Sequence, residues 1–159
     1  MKTEIGEYIV GAYLQVIKGC DYINYNVRPP GGGLEGLDEI DVVGFDLKSN
    51  TVYLCEVKTH IKGLNHERNI NKIKLKYRKQ KKYSNKYLKN FKKRHFMFWS
   101  PVVRQSVVDK LKKVKNIEMI VGKEYTKCID ELREKAKKMA NDTGNPFFRS
   151  LQILERLKR

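Results

Sequence analysis

Cysteine is scarce in this chain, and no two cysteines lie close together. The three residues, Cys20, Cys55 and Cys128, are odd in number and include no C-x-x-C pair. This spacing argues against a disulfide framework and against a structural zinc site. It predicts reduced, mostly buried thiols in an intracellular protein.

Long apolar runs are also absent. No run of the sequence approaches the roughly 18–20 apolar residues that a membrane-spanning helix needs. The first residues, MKTEIGEYIVGAYL, contain Glu4 and Glu7 and no A-x-A-like cleavage site, which argues against a secretion signal. We therefore expect a cytoplasmic protein without a membrane partner.

Acidic residues are few: 18 Asp and Glu stand against 34 Lys and Arg, which gives a formal net charge of +16. Such an excess favours a polyanionic partner, usually nucleic acid. An AT-rich genome, which enriches Lys, Asn, Ile and Tyr, is the alternative explanation. The clustering is more specific, because residues 68–94 contain 13 Lys and Arg and no acidic residue. We predict that this segment binds DNA through the following lysines of its outer face and ends: Lys72, Lys76, Lys79, Lys81, Lys82 and Lys86.

The pattern of apolar residues predicts one α/β domain over residues 1–159, with a core at about 3–122 and a helical extension at about 123–159. Helix, strand and loop are predicted at 3–18, 22–27 and 28–37, followed by two hairpin strands at about 39–47 and 51–59. A long basic helix is predicted at 68–94, with inner-face residues at spacings of three, four or seven, namely Ile70, Ile73, Tyr77, Ser84, Leu88 and Phe91. The remaining predicted elements are a strand at 95–103, a helix from Ser106 to Val114 with Ser106 and Asp109 as a capping box, a strand at 117–122, a helix at 124–140 and a last helix from Pro146 to the C-terminus.

This order of elements predicts the architecture. An antiparallel hairpin meander followed by βα crossovers makes a mixed central sheet flanked by helices on both faces.

Three ionisable residues interrupt the apolar strands of the hairpin EIDVVGFDLKSNTVYLCEVKTH, namely Asp41, Glu56 and Lys58. A two-residue turn at Ser49-Asn50 would place Asp41 opposite Lys58, with Glu56 diagonal to it on the same face. A four-residue loop keeps all three on one face, whereas a three-residue loop does not. A buried Asp–Lys ion pair is one explanation of this patch. Two carboxylates beside one ammonium leave a negative charge, which favours a hard divalent cation instead.

Asp41 followed by Glu56-Val57-Lys58 resembles the D…(D/E)xK signature of the PD-(D/E)XK, or restriction-endonuclease-like, nuclease superfamily. The core order of that superfamily, α-β-β-β-α-β, is also the order predicted for this chain. In addition, GE at 6–7, YL at 13–14, NVR at 26–28, EID at 39–41 and EVKT at 56–59 resemble, in order, a family of small bacterial endonucleases within it. Archaeal Holliday-junction resolvases share a similar layout. The resemblance covers roughly residues 5–60.

The resemblance implies a restriction-endonuclease-like fold and Mg²⁺-dependent hydrolysis of phosphodiester bonds in DNA. Asp41, Glu56 and the backbone carbonyl of Val57 would coordinate Mg²⁺, for which Mn²⁺ would substitute. Lys58 would orient the attacking water or stabilise the charge of the phosphorane. Its burial beside the metal would lower its pKa.

Two further catalytic candidates follow from the same resemblance. Glu7 occupies the acidic position of the first helix, although helical phase places it opposite the apolar stripe and a role beside the helix dipole is the alternative. Gln80 falls on the inner face of the basic helix, where several branches of the superfamily have Gln or Lys. No nucleotide cofactor is expected, because the P-P-G-G-G loop lacks the GK[ST] of a phosphate-binding loop.

Two other functions remain open on the sequence alone. One is a non-catalytic nucleic-acid-binding module on the same scaffold, and the other is an RNA-directed or exonucleolytic nuclease. Cleavage of both DNA strands would require a homodimer, because one site cuts one strand. The apolar residues of the last helix would supply such an interface or pack on the core.

Overall fold

A computed structural model of the chain describes residues 2–33, 38–62 and 67–157. Part of the predicted loop at 28–37, namely residues 34–37, lies outside the described residues. The last two residues of the predicted C-terminal helix, 158–159, also lie outside them. The described elements, in chain order, are α1 (Ile5–Val16), β1 (Tyr22–Val27), β2 (Ile40–Asp46), β3 (Thr51–Val57), α2 (Glu67–Tyr87), β4 (Lys93–Ser100), α3 (Gln105–Lys112), β5 (Glu118–Val121), α4 (Lys123–Lys138) and α5 (Pro146–Leu157).

The strands form one open sheet in the order β1-β2-β3-β4-β5. The pairs β1–β2 and β2–β3 are antiparallel, and the pairs β3–β4 and β4–β5 are parallel. Helix α2 connects β3 to β4, and α3 connects β4 to β5, since parallel neighbours need a crossover. The predicted α/β class with a mixed central sheet is therefore confirmed.

Helices cover both faces of the sheet, as predicted. On one face, apolar residues of α1, α4 and α5 pack with Cys55 and Trp99 of the central strands. On the other face, α2 and α3 pack with Leu54 and Phe98. Adjacent residues of one strand thus contribute to different cores, as the alternation of side chains along a strand requires. Helices α4 and α5, predicted as an extension, complete the same core as α1.

Two predicted features around the basic segment are wrong. Helix α2 ends at Tyr87, and Lys93 begins β4, so the basic stretch is divided between a helix and a strand. The capping box at Ser106 is absent: Arg104 is the N-cap of α3 and makes no side-chain capping bond. The Asp109 carboxylate instead accepts a hydrogen bond from the Gln105 amide at 3.3 Å.

The hairpin has a four-residue turn, so the predicted opposition of Asp41 and Lys58 is wrong by two residues. Asp46 pairs with Thr51, and the same register continued along the strands puts Asp41 opposite Glu56. The Asp46 carboxylate accepts a hydrogen bond from the Ser49 N–H at 3.0 Å, which stabilises the wider turn. A shift of two residues does not change which face of the sheet a side chain occupies, so Asp41, Glu56 and Lys58 remain on the face covered by α2.

No helix within residues 2–33, 38–62 and 67–157 combines the length and the apolar character needed to cross a membrane. All three cysteines are buried and free of disulfides.

Candidate functional site

The site lies where β2 and β3 separate at the end of the hairpin. The paired register of the two strands stops at Val42 and Cys55. Beyond that point, the Val57 N–H donates a hydrogen bond to Asp41 Oδ2 at 2.7 Å. The Asp41 carboxylate therefore takes a position that a backbone carbonyl would occupy in a continued ladder. This bond holds the buried Asp41 side chain in one orientation.

Glu56 is buried between two ammonium groups. Its exposed fraction is 3%. Lys58 Nζ lies 2.8 Å from Oε1, and Lys76 Nζ lies 3.3 Å from Oε2. Within the described part of the chain, neither oxygen receives a hydrogen bond of regular geometry. The carboxylate is thus compensated by charge and retains capacity to bind a further cation.

The predicted excess of negative charge is wrong, because Lys76 joins Lys58 beside the carboxylates of Asp41 and Glu56, and the formal charges of the four groups cancel. Burial raises the pKa of Asp41 to about 7, and repulsion by Glu56 contributes to the shift, while attraction by Lys58 opposes it. An ordinary aspartate has a pKa near 4. Burial therefore makes ionisation of Asp41 unfavourable despite the two ammonium groups, and a bound cation would favour the ionised form.

The pKa of Lys58 is raised in the chain without a bound cation, and its lowering beside a metal stays a prediction. Burial lowers the pKa of the Lys58 ammonium, but attraction by Glu56 and Asp41 exceeds this effect, and the pKa is raised. The side chain is 42% exposed, so solvent moderates both effects. Lys58 is a cation at neutral pH in this arrangement.

The available ligands suit a hard divalent cation. Asp41 and Glu56 supply carboxylate oxygens, and Val57 supplies a carbonyl. In a strand the C=O of a residue points to the same side as its N–H, and the Val57 N–H points to Asp41. Such an all-oxygen set is typical of Mg²⁺ and Mn²⁺. The described residues contain no group of three or more His, Cys, Asp or Glu side chains placed to hold a metal ion, so a cation here would depend on these three groups and on water.

Glu7 is buried near this site and does not face solvent, contrary to the helical phase. Its Oε2 accepts hydrogen bonds from the Glu4 N–H at 3.0 Å and from the Asn26 amide at 3.4 Å. Burial raises the pKa of Glu7, although these two bonds oppose the shift. No hydrogen bond or ion pair joins Glu7 to Asp41 or Glu56 in the described structure. Its catalytic role stays a prediction.

The backbone of α1 at Gly6 lies against the side chain of Thr59, just after the end of β3. A Cβ added to Gly6 would lie 2.1 Å from Thr59 Cγ2, so only glycine fits here without movement of Thr59. The glycine of the GE pair at residues 6 and 7 thus has a physical basis in this contact. It positions the first turn of α1 beside the residues that follow Glu56.

Lys76 is the residue whose position the sequence analysis missed. We expected it among the solvent-facing lysines, but its side chain is only 13% exposed and its ammonium contacts Glu56. It also donates a hydrogen bond to the Glu39 carbonyl at 3.0 Å. The sequence contains a signal of this position, because Lys76 precedes Gln80 by four residues and therefore lies on the same side of the helix.

Arg28 is a second residue that sequence reasoning did not assign to the site. Its Nε donates to Glu39 Oε2 at 3.0 Å. The Glu39 carboxylate is therefore directed to a guanidinium. Together with Lys76, this contact fixes the start of β2 next to α2.

Gln80 lies on the inner face of α2, as predicted. Its side chain is 3% exposed, and its amide nitrogen finds no hydrogen-bond partner among the described residues. A role in catalysis stays a prediction. The other predicted DNA-binding lysines are more exposed than Lys76, and one of them, Lys79, forms an ion pair with Asp38 at 2.7 Å.

Comparison with protein-family models, with curated proteins and with solved structures finds no match to this chain.

Proposed function

We propose that this protein is a Mg²⁺-dependent endodeoxyribonuclease of the restriction-endonuclease-like type that acts in the cytoplasm. The observation that carries the proposal is the convergence of Asp41, Glu56 and Lys58 at the point where β2 and β3 separate. The strand order and the D…ExK spacing of the sequence support the same assignment. The basic helix beside the site supports DNA as the substrate.

Asp41, Glu56 and the Val57 carbonyl are the groups that would hold the cation. When bound, Mg²⁺ would polarise the scissile phosphate and acidify a water molecule. Mn²⁺ has the same preference for oxygen ligands and is expected to substitute. Burial and, secondly, repulsion by Glu56 raise the pKa of Asp41, and a bound cation would oppose this shift.

Lys58 is suited to stabilise negative charge on the phosphate. Its ammonium is anchored to Glu56 at 2.8 Å, while 42% of the side chain is exposed to an incoming substrate. Its ammonium would act as a hydrogen-bond donor to the phosphate and to the attacking water.

The alternative function has one observation in its favour. Lys58 and Lys76 already form ion pairs with Glu56, and this arrangement is also compatible with a non-catalytic scaffold that binds nucleic acid. The two functions differ in whether any divalent cation supports cleavage.

A cleavage assay separates these functions. Linear, nicked, flapped and four-way-junction DNA would be incubated with the protein in Mg²⁺, in Mn²⁺ and in EDTA. We expect cation-dependent cleavage by the wild type and none by Asp41→Asn or Glu56→Gln, with DNA binding retained. The matched control is Asp130→Asn, which neutralises a carboxylate that is 61% exposed on α4.

Full activity of Asp41→Asn would refute the assignment of this site. DNA binding by the wild type without cleavage in either cation would favour the non-catalytic module. Cleavage of RNA in preference to DNA, or removal of nucleotides only from ends, would favour the third possibility.

A further inference from the structure

A groove of about 440 Å³ lies next to the carboxylate site. One side is formed by residues 38–40 at the start of β2, and the other by α2 from Lys76 to Tyr87. Lys76 belongs to both places, because it lines the groove and contacts Glu56 at 3.3 Å. A ligand in this groove would therefore extend toward the carboxylates.

Lysines follow one edge of the groove. Lys79, Lys82 and Lys86 are three or four residues apart, so they lie on the same side of α2. With a rise of about 1.5 Å per residue, the row is about 10 Å long. Lys79 is paired with Asp38, whereas Lys82 and Lys86 form no ion pair within 4 Å among the described residues. The row has unneutralised positive charge along a length that fits two successive phosphates.

Two tyrosines form the far end of the groove. The rings of Tyr83 and Tyr87 have centroids 4.9 Å apart, and Tyr87 is 38% exposed. The Lys86 ammonium lies 5.1 Å from the centroid of the Tyr87 ring. An exposed aromatic ring beside a cation is the combination that stacks a base and binds its phosphate.

Gln80 adds an observation that points independently to a ligand. It lines the groove, is 3% exposed, and has an amide nitrogen without a hydrogen-bond partner in the described part of the chain. A buried donor without a partner is costly, by about 1–3 kcal/mol. A ligand that brings an acceptor oxygen into the groove would remove this cost.

We propose that this groove binds an unpaired nucleotide of single-stranded DNA, with its base on Tyr87, its phosphates on Lys82 and Lys86, and an acceptor oxygen on the Gln80 amide. A space of this volume is in the range of sites for one small ligand and is far too small for a duplex. The proposal deepens the proposed function, since it names DNA with an unpaired segment beside the cut as the substrate.

Binding in EDTA tests the groove without cleavage. Fluorescence anisotropy would measure the affinity for a short oligothymidylate and for a blunt hairpin duplex. Loss of stacking is worth about 1–3 kcal/mol per base, so Tyr87→Ala should weaken oligothymidylate binding by about 5- to 150-fold and duplex binding by less than about 2-fold. Tyr87→Phe should retain the affinity for both. Tyr22→Ala is the matched control, because Tyr22 is 62% exposed on β1 and does not line the groove.

A double variant tests the phosphate contacts without removing an aromatic ring. Lys82→Gln with Lys86→Gln should reduce the salt slope of oligothymidylate binding by about 0.7 for each phosphate that is no longer neutralised. Thermal melting of each variant would establish that it is folded.

The proposal is overturned if Tyr87→Ala weakens single-strand and duplex binding equally, if it weakens neither, or if the wild type binds only duplex. Tyr87-dependent single-strand binding without cleavage in Mg²⁺ would support the groove and refute the nuclease. Cleavage of duplex DNA without Tyr87-dependent binding of single strands would support the nuclease and refute the groove.

Discussion

Neutralising Asp41 should stabilise the protein when no divalent cation is present. The carboxyl has an ordinary pKa of 3.8, and burial together with Glu56 raises it to about 7 in the folded chain. Between these two values the folded state holds a proton that the unfolded state has lost. Stability therefore falls as the pH rises from about 4 to about 7, and it stays low above that range.

The size of this effect follows from the shift. A change from 3.8 to about 7 corresponds to about 4 kcal/mol at pH 8, because each pH unit is worth about 1.36 kcal/mol. Asn at position 41 removes the charge but keeps an oxygen that accepts the hydrogen bond from the Val57 N–H. Relaxation of the site and penetration of water reduce the penalty, so we expect Asp41→Asn to gain about 1–3 kcal/mol at pH 8.

Urea unfolding in EDTA would measure this gain. Wild type and Asp41→Asn would be compared between about pH 5 and pH 8, with Asp130→Asn as the control for loss of an exposed carboxylate. The advantage of Asp41→Asn should grow as the pH rises. Mg²⁺ should then stabilise the wild type at pH 8 and have a much smaller effect on Asp41→Asn, because ligand binding stabilises only a protein that binds it.

A stability difference that does not change with pH would refute the electrostatic origin of the effect. A variant that is less stable than the wild type at pH 8 would show that the Asp41 charge is well compensated by its lysine neighbours. Equal stabilisation of both proteins by Mg²⁺ would place the cation elsewhere.

Two further predictions concern binding and packing. Replacing Lys79, Lys81 and Lys82 together by Gln should weaken binding to all duplex sequences alike and reduce the slope of log K against log salt, by about 0.9 for each phosphate that is no longer neutralised; an unchanged slope would mean that these lysines only solubilise the helix. Gly11→Ala should destabilise the fold by about 1–3 kcal/mol in urea unfolding, because its Cβ would lie 2.0 Å from the Tyr25 hydroxyl oxygen. Wild-type stability of Gly11→Ala would show that the Tyr25 ring moves aside at little cost.

The order of helices and strands was predictable from the sequence because it depends on local periodicity. Apolar spacings of three and four identified α2, and the runs around the KSN turn identified β2 and β3. The alternation of side chains along the strands was also enough to put Asp41 and Glu56 on one face of the sheet, since a two-residue turn and a four-residue turn both place them on the same face.

The exact register was decided by side-chain bonds of the turn. Asp46 accepts hydrogen bonds from the Ser49 N–H and hydroxyl, and Asn50 adopts a φ of 55°. These contacts select four turn residues in place of two, which puts Glu56 opposite Asp41. Turn residues predict that a turn occurs more reliably than they predict its length.

The contacts between elements could not be predicted from the sequence. Lys76 meets Glu56, and Glu7 meets Asn26, only because helices pack on the sheet at particular positions and angles. The groove at Gln80 arises in the same way, between a strand and a helix distant in the chain. Local spacing determines which side of a helix a residue occupies, whereas the packing of helix against sheet determines what that side touches.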